Sequence, residues 1–326
     1  MNRYRAFATL MLMLVIFPLN RLVVASGSQS TGMHFLLLGP SAHNMGLSDA
    51  HTASLTGASA IYLNPALLSM ENRNSATLSY MIWPATDTQN SFAGMVYNKG
   101  RQAFGIALLS SLSDNIPLRT NPTTNPDGFF AVRYFSLAGS YSRAMGPLSI
   151  GVTGMYLYEQ FFRDHASGLG MNAGLALHLL EERVRLGAAL KNLGSMEELA
   201  ETATRLPTML SFGTDIQLLQ FSTSAIEDEI PLLFSVIVDY NIPLNEISGT
   251  EEGSIVSQGD GYFNAGLELN ISDIIDLRAG LRSGETQRRF SFGAGLLFSD
   301  FYFNYAFLPF SDGFGVAHAV SLQYNF

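Results

Sequence analysis

Few residues in this chain could do chemistry, and most of them are neighbours only along the sequence. Ser41, His43, Ser48, Asp49 and His51 fall in one short stretch. They supply the residue types of a hydrolytic triad, but a triad is a geometry and proximity in sequence does not make one. The six histidines (His34, His43, His51, His165, His178 and His318) follow no metal-ligand spacing. There are no cysteines, which excludes a thiol nucleophile, a cysteine metal site, a disulfide and a lipid-anchored lipoprotein. Glu246, Glu251, Glu252 and Asp260 lack the ordered oxygen spacing of a calcium loop and read as a solvated loop. No catalytic residue, metal or cofactor is expected.

The remaining charges form a different pattern. Glu268 and Arg278 occupy neighbouring apolar-polar segments with the same phase, so a diagonal pair across a hairpin is expected. Asp215, Asp239, Arg282 and Lys191 share that phase and extend it into a network inside whatever the segments enclose. Such a network would hold the N-terminal region in place.

The elements that position these residues are strands. From about Ser75 onward the apolar period is two. In the last segment Val316, His318, Val320, Leu322, Tyr324 and Phe326 share one face, against Ala317, Ala319, Ser321, Gln323 and Asn325. The same split recurs in 288–298, with Phe290, Phe292 and Leu296 against Ser291, Gly293 and Gly295. It recurs in 231–242, and in 206–219, where Leu206, Leu210, Phe212 and Ile216 oppose Ser211, Gly213 and Asp215. A soluble sandwich also alternates. Here the polar face is small and sparsely charged, as suits a wet or loosely plugged lumen, and aromatics such as Tyr156, Tyr158, Phe161 and Phe162 gather at strand ends.

Fourteen strands are predicted, near 75–83, 91–98, 102–110, 128–142, 146–160, 169–180, 183–192, 206–219, 231–242, 261–269, 275–283, 288–298, 300–307 and 316–326. Links after even strands are short, apart from the acidic 220–230. Links after odd strands (111–127, 161–168, 193–205, 243–260 and 308–315) are longer. Short turns on one side and long loops on the other suit an outer-membrane barrel with periplasmic turns. Phe307 to Phe310 are expected to pack over the barrel mouth.

The N-terminus reads as a cleaved signal peptide over 1–25: Arg3 and Arg5, an apolar run from Ala6 to Leu19, then Val23-Val24-Ala25. Cleavage would remove Arg3, Arg5 and Arg21 and take the formal charge from −9 to −12, a poor balance for nucleic-acid binding. No later stretch has 18 uninterrupted apolar residues, so a membrane protein would have to be a closed barrel. Residues 26–74 break the alternation and read as a hatch inside the barrel mouth. Met33 to Leu38 is a brief strand or apolar plug segment, and Pro65 starts a turn of helix over Ala66 to Met70. The expected organisation is therefore signal peptide 1–25, hatch 26–74 and barrel 75–326.

The stretch from Gly39 through Met45-Gly46 to Ser54, followed by Ala58 to Ser69 with its Asn64-Pro65-Ala66 triplet, resembles the hatch motif of the PorV/PorQ family, relatives of the FadL-type fourteen-stranded barrels. Lys191 to Gly194, Leu277 to Gly284, Phe292 to Gly295, Tyr305 to Phe307 and Ser321 to Phe326 resemble the same family. The sequence departs from it at Thr56-Gly57, where an acidic pair is frequent, and at Asn44, where glycine is. The resemblance implies a non-enzymatic outer-membrane barrel working with type IX secretion as a carrier or docking subunit for secreted cargo or a translocon. The FadL side of the same resemblance implies passage of a hydrophobic small molecule through the lumen and a lateral wall opening. Leu322, Tyr324 and Phe326 resemble the C-terminal signal read by the barrel-assembly machinery. Outer-membrane lipid is the expected surround.

Overall fold

Period-two segments with one apolar face have two ways to bury their backbone edges: they pair into an open sheet with two free edges, or they close. This chain closes. The computed structural model describes residues 31–326 except 72, 84–86, 121–124, 181–182, 200–201, 226–227, 245–260, 285–286, 312 and 314. Residues 1–25, expected to be a signal peptide, and the acidic loop residues Glu246, Glu251, Glu252 and Asp260 lie outside the described residues.

The strands are β1 (Ser75–Trp83), β2 (Thr88–Lys99), β3 (Gln102–Leu118), β4 (Gly128–Met145), β5 (Leu148–Phe161), β6 (Asp164–Leu179), β7 (Val184–Met196), β8 (Glu198–Leu199) and β9 (Thr202–Ala203). They continue with β10 (Met209–Ala225), β11 (Asp228–Pro243), β12 (Tyr262–Ile271), β13 (Ile275–Arg282), β14 (Phe290–Phe298), β15 (Phe301–Pro309) and β16 (Val316–Asn325). β8 and β9 form a small separate hairpin. The other fourteen pair antiparallel in chain order, and β1 meets β16 from Ser75↔Asn325 to Ile82↔His318, which closes the barrel.

The exterior follows the predicted alternation. Leu78, Leu169, Phe212, Phe292 and Phe298 point outward and are exposed, Phe298 to 73%. An apolar belt running round all fourteen strands is far larger than the patches soluble proteins tolerate, and a closed barrel is the strand solution for hydrocarbon. No helix among the described residues is long and apolar enough to cross a membrane.

The strands run further than the alternation predicts. β3 continues through the predicted loop 111–127 to Leu118, past a register irregularity between Ser113 and Ile116 where Asn115 takes φ 56°. The predicted loop 161–168 reduces to a tight turn at Phe162 and Arg163, and β6 starts at Asp164. The acidic link 220–230 is largely strand, because β10 and β11 stay paired to Ala225↔Asp228, beyond the last β7 contact at Ile216↔Val184. A wall that leaves hydrocarbon no longer needs an apolar face, but its backbone groups still need ladder partners. Leu206 was expected outside; it is buried and precedes the strand, since Pro207 has no N–H for the ladder.

Residues 31–71 run inside the barrel with five short helical turns: His34–Leu37, Ala42–Gly46, Gly57–Ser59, Ala60–Leu63 and Pro65–Ser69. Met33 to Leu38 is thus a 3-10 turn and no strand. One buried apolar cluster joins Phe35, Ile61 and Leu67 to Phe92, Ala107 and Leu157 of β2, β3 and β5. A second joins Met45 to Trp83, Ala306 and Leu308. Phe310 packs edge-on to Trp83 at 4.8 Å, so the apolar run in this last link is anchored at the mouth.

Candidate functional site

The hatch rests on glycines. A Cβ added at Gly187 of β7 would run into the Thr52 carbonyl, one at Gly280 of β13 into the Leu47–Ser48 backbone, and one at Gly151 of β5 into the Pro65 carbonyl. Gly293 of β14 faces Gly46 of the hatch at 3.1 Å from its would-be Cβ. Only glycine lets two backbones approach this closely. The hatch is therefore seated closely on the wall at these points, where the polar face suggests a wet or loosely plugged lumen. The small polar face marks where the hatch touches the wall.

Asn64-Pro65-Ala66 is the most heavily fixed part of that contact. Asn64 is fully buried. Its Nδ2 donates to the carbonyls of Thr52 (2.7 Å) and Leu175 (3.1 Å), and its Oδ1 accepts from Ala66 N–H (3.2 Å), capping the turn that Pro65 begins. The Ala66 carbonyl accepts from the hydroxyls of Ser149 (2.7 Å) and Ser142 (3.1 Å). Gly174 of β6 makes room for the Asn64 carboxamide.

Two carboxylates complete the seat. Asp239 Oδ2, on β11, accepts from the backbone N–H of His51 (2.8 Å), the backbone N–H of Thr52 (2.8 Å) and the Thr52 hydroxyl (2.7 Å). Asp49 Oδ2, on the hatch, accepts from Arg282 (3.0 Å) and Arg288 (2.9 Å). Burial alone would raise the Asp49 carboxyl, but the Arg288 and Arg282 guanidiniums hold it below the usual carboxylate range. The hatch thus receives one wall carboxylate and offers one carboxylate to wall arginines.

Glu268 and Arg278 do meet, but directly opposite each other on β12 and β13 and not diagonally. Arg278 Nε donates to Glu268 at 2.7 Å, Nη1 to Asn304 at 2.9 Å and Nη2 to Asp276 at 3.0 Å, and Tyr302 bridges Arg278 and Asp276. All these partners belong to the wall. The link from this cluster to the hatch is His43, 3.7 Å from Glu268. Asp215 pairs separately with Arg185 at 2.6 Å. The four residues expected as one network therefore divide into a hatch anchor (Asp239), a wall cluster (Glu268 and Arg278) and an isolated pair (Asp215). Arg282 joins the anchor side. Among the described residues no hydrogen bond ties the Lys191 side chain to the others.

The Ser/His/Asp stretch forms no triad. Ser41 donates to Asn44 Oδ1 (2.6 Å), Ser48 meets Ser291 (2.7 Å), and His51 Nε2 donates to the Asn44 carbonyl (2.7 Å). Each group is used to cap or seat the short helix Ala42–Gly46. Burial lowers His51 to about 4 and holds His43 well below the usual histidine range. Among the described residues no group of three or more His, Cys, Asp or Glu could hold a metal ion.

Leu322 and Tyr324 lie on the outward face of β16, and Phe326 continues it with its N–H bonded to the Asn74 carbonyl. Sequence reasoning missed the anchoring role of Asp49, Thr52 and Arg288. Nothing local marks them, since their partners lie some two hundred residues away. The readable signal was the glycine content of the polar face.

The chain matches no family model and no curated protein in sequence. Its fold matches solved barrels. The toluene transporter TbuX of Ralstonia pickettii has a TM-score of 0.59 at 12% identity, covering 89% of this chain and 98% of TbuX. The Pseudomonas putida toluene transporter TodX has a TM-score of 0.57 at 14% identity, covering 91% of this chain and 99% of TodX. The monoaromatic hydrocarbon channel CymD has a TM-score of 0.57 at 12% identity, covering 89% and 97%. At such identities the likeness establishes a shared closed-barrel fold. The narrower PorV/PorQ resemblance is not carried by these neighbours.

Proposed function

We propose that this chain is a passive outer-membrane conduit for small hydrophobic compounds, inserted by the barrel-assembly machinery through its Leu322, Tyr324 and Phe326 terminus after signal-peptide export. The observation that carries this reading is the fold shared with two toluene transporters and a monoaromatic hydrocarbon channel over nearly the whole of each chain. The interior supports it. Beside the small β8–β9 hairpin the interior is mainly apolar and aromatic, with Phe35 stacked on Tyr134 at 5.6 Å, Leu36, Met196 and Leu206 buried alongside, and one carboxyl, Glu159, taken up by the Thr204 hydroxyl. The other half of the lumen holds the Glu268, Arg278 and Asp276 cluster, which would repel an apolar solute. The solute would therefore dissolve at the apolar mouth.

Radiolabelled toluene uptake tests this reading in cells whose own hydrocarbon channels are deleted. Cells making the barrel should take up toluene faster than vector controls; equal rates would overturn the proposal.

A second reading, a type IX carrier or docking subunit, is favoured by the fixed seat of the Asn64-Pro65-Ala66 triplet, which suits a permanent plug better than a path. Co-purification with secretion components supports that reading; purification without them argues against it.

A further inference from the structure

The outward face of the barrel is almost free of charge, which makes its few exceptions informative. One exception is a row on the loop side of β4, β5 and β6. Arg133, Gln160 and His165 are direct cross-strand neighbours in register, Arg133↔Gln160 and Gln160↔His165. All three point outward. Arg133 and His165 are exposed and Gln160 is half-buried. Direct neighbours in an antiparallel sheet have Cβ atoms roughly 5 Å apart, so a guanidinium, a carboxamide and an imidazole stand side by side.

The row is placed where a membrane surface would be. One step toward the turns, Phe135 faces Tyr158, and a further step brings Leu137, Tyr156 and Leu169, which belong to the apolar belt. The Tyr158 and His165 rings stack at 6.1 Å, which holds the imidazole over the aromatic layer. Aromatic residues of this kind mark the boundary between hydrocarbon and headgroups.

The charge balance is one-sided. Every outward position of β4, β5 and β6 lacks a carboxylate, and the one acid beside this face, Glu197 after β7, is taken up by the Ser167 hydroxyl at 2.7 Å one step toward the turns. The two acids on these strands have the opposite phase: Glu159 accepts from Thr204 at 2.6 Å, and Asp164 stands opposite Phe161. The side chains of Arg133 and Gln160 make no hydrogen bond or ion pair with another described residue. An unpaired guanidinium flanked by a carboxamide and an imidazole, just above an aromatic boundary, is built to receive an anion held at headgroup depth.

We infer that Arg133, Gln160 and His165 bind the phosphate of a lipid headgroup in the leaflet on the loop side. The phosphate accepts from Arg133 in a bidentate fork and from Gln160 Nε2 and the His165 ring N–H, while the acyl chains lie on Leu137, Tyr156 and Leu169. Such a lipid would fix the depth of the wall on this side of the barrel.

Native mass spectrometry of the purified full-length barrel tests this. The micelles carry either bis-phosphorylated lipid A or its dephosphorylated form. The phosphorylated lipid should be retained and the dephosphorylated form lost. R133Q should weaken retention about tenfold, as expected for one charge-assisted contact. Arg143, outward on the turn side of the same strand, is the control, and R143Q should bind as the parent does. Inorganic phosphate at equal concentration should not displace the lipid. Equal retention by R133Q, an equal loss in R143Q, retention of the dephosphorylated lipid, or displacement by free phosphate would each overturn the inference. Should R133Q fail to run as a folded barrel before boiling, Q160L takes its place: weaker retention than the parent supports the site, and parent-like retention overturns it.

Discussion

Asp239 and Thr52 are 187 residues apart, and one oxygen of the Asp239 carboxylate accepts both the Thr52 backbone N–H and its hydroxyl. That contact, with His51 N–H on the same oxygen, makes the hatch part of the wall. Leaving a buried donor without a partner costs roughly 1–3 kcal/mol. Asp239→Leu orphans three donors, so the hatch should loosen while the barrel stays closed. Limited proteolysis of the folded protein in detergent should show faster cleavage within 39–70, with heat-dependent gel migration unchanged. Parent-like cleavage would remove Asp239 from its anchoring role.

Arg278→Leu should behave differently. Its partners Glu268, Asp276, Tyr302 and Asn304 all lie on β12, β13 and β15. Removing one member of a buried ion cluster typically costs about 3–5 kcal/mol. The loss should lower the temperature at which the barrel unfolds on a gel, and hatch cleavage should rise less than in Asp239→Leu. The reverse order would mean that the wall cluster, and not Asp239, carries the hatch.

The glycine seat makes a paired prediction. Gly280→Val forces a side chain into the Leu47–Ser48 backbone, whereas Gly139 faces open space outside the barrel. Gly280→Val should prevent a folded, heat-modifiable barrel or expel the hatch. Gly139→Ala should stay within about 0.5 kcal/mol of the parent, as surface changes usually do. Equal tolerance of both would show that the hatch is not seated on the wall.

Acid should loosen the hatch. Burial holds His51 at about 4, below the 6.5 of a free histidine, and its Nδ1 has no partner among the described residues. The unfolded chain then binds more protons between these values, so the stability from neutral His51 is present above about 6.5 and is lost as pH falls toward 4. His43, also lowered by burial, acts in the same direction. Proteolysis within 39–70, corrected for protease activity, should accelerate between pH 6.5 and 4, and His51→Gln should flatten the dependence. A pH-independent rate in the parent would contradict it.

Much of the wall was legible because lipid enforces a period of two. Leu322, Tyr324 and Phe292 could be assigned outward from alternation alone. The extensions beyond hydrocarbon were not legible. Asp114 and Asn115 are poor strand formers and looked like loop, yet β3 continues past them because an irregularity absorbs the extra residues. The hatch triplet was visible as Asn64-Pro65 chemistry. Its partners Leu175, Ser142 and Ser149 were not, because contacts across the lumen leave no local period. Glu268 and Arg278 were paired correctly from phase, but phase cannot set register, which decided that they stand opposite and not diagonal.

The most direct test is a deletion strain assayed in parallel for toluene uptake and for surface display of secreted cargo. Slower uptake with normal cargo display is the predicted result. Normal uptake with lost cargo display would contradict the conduit and leave the docking role in its place.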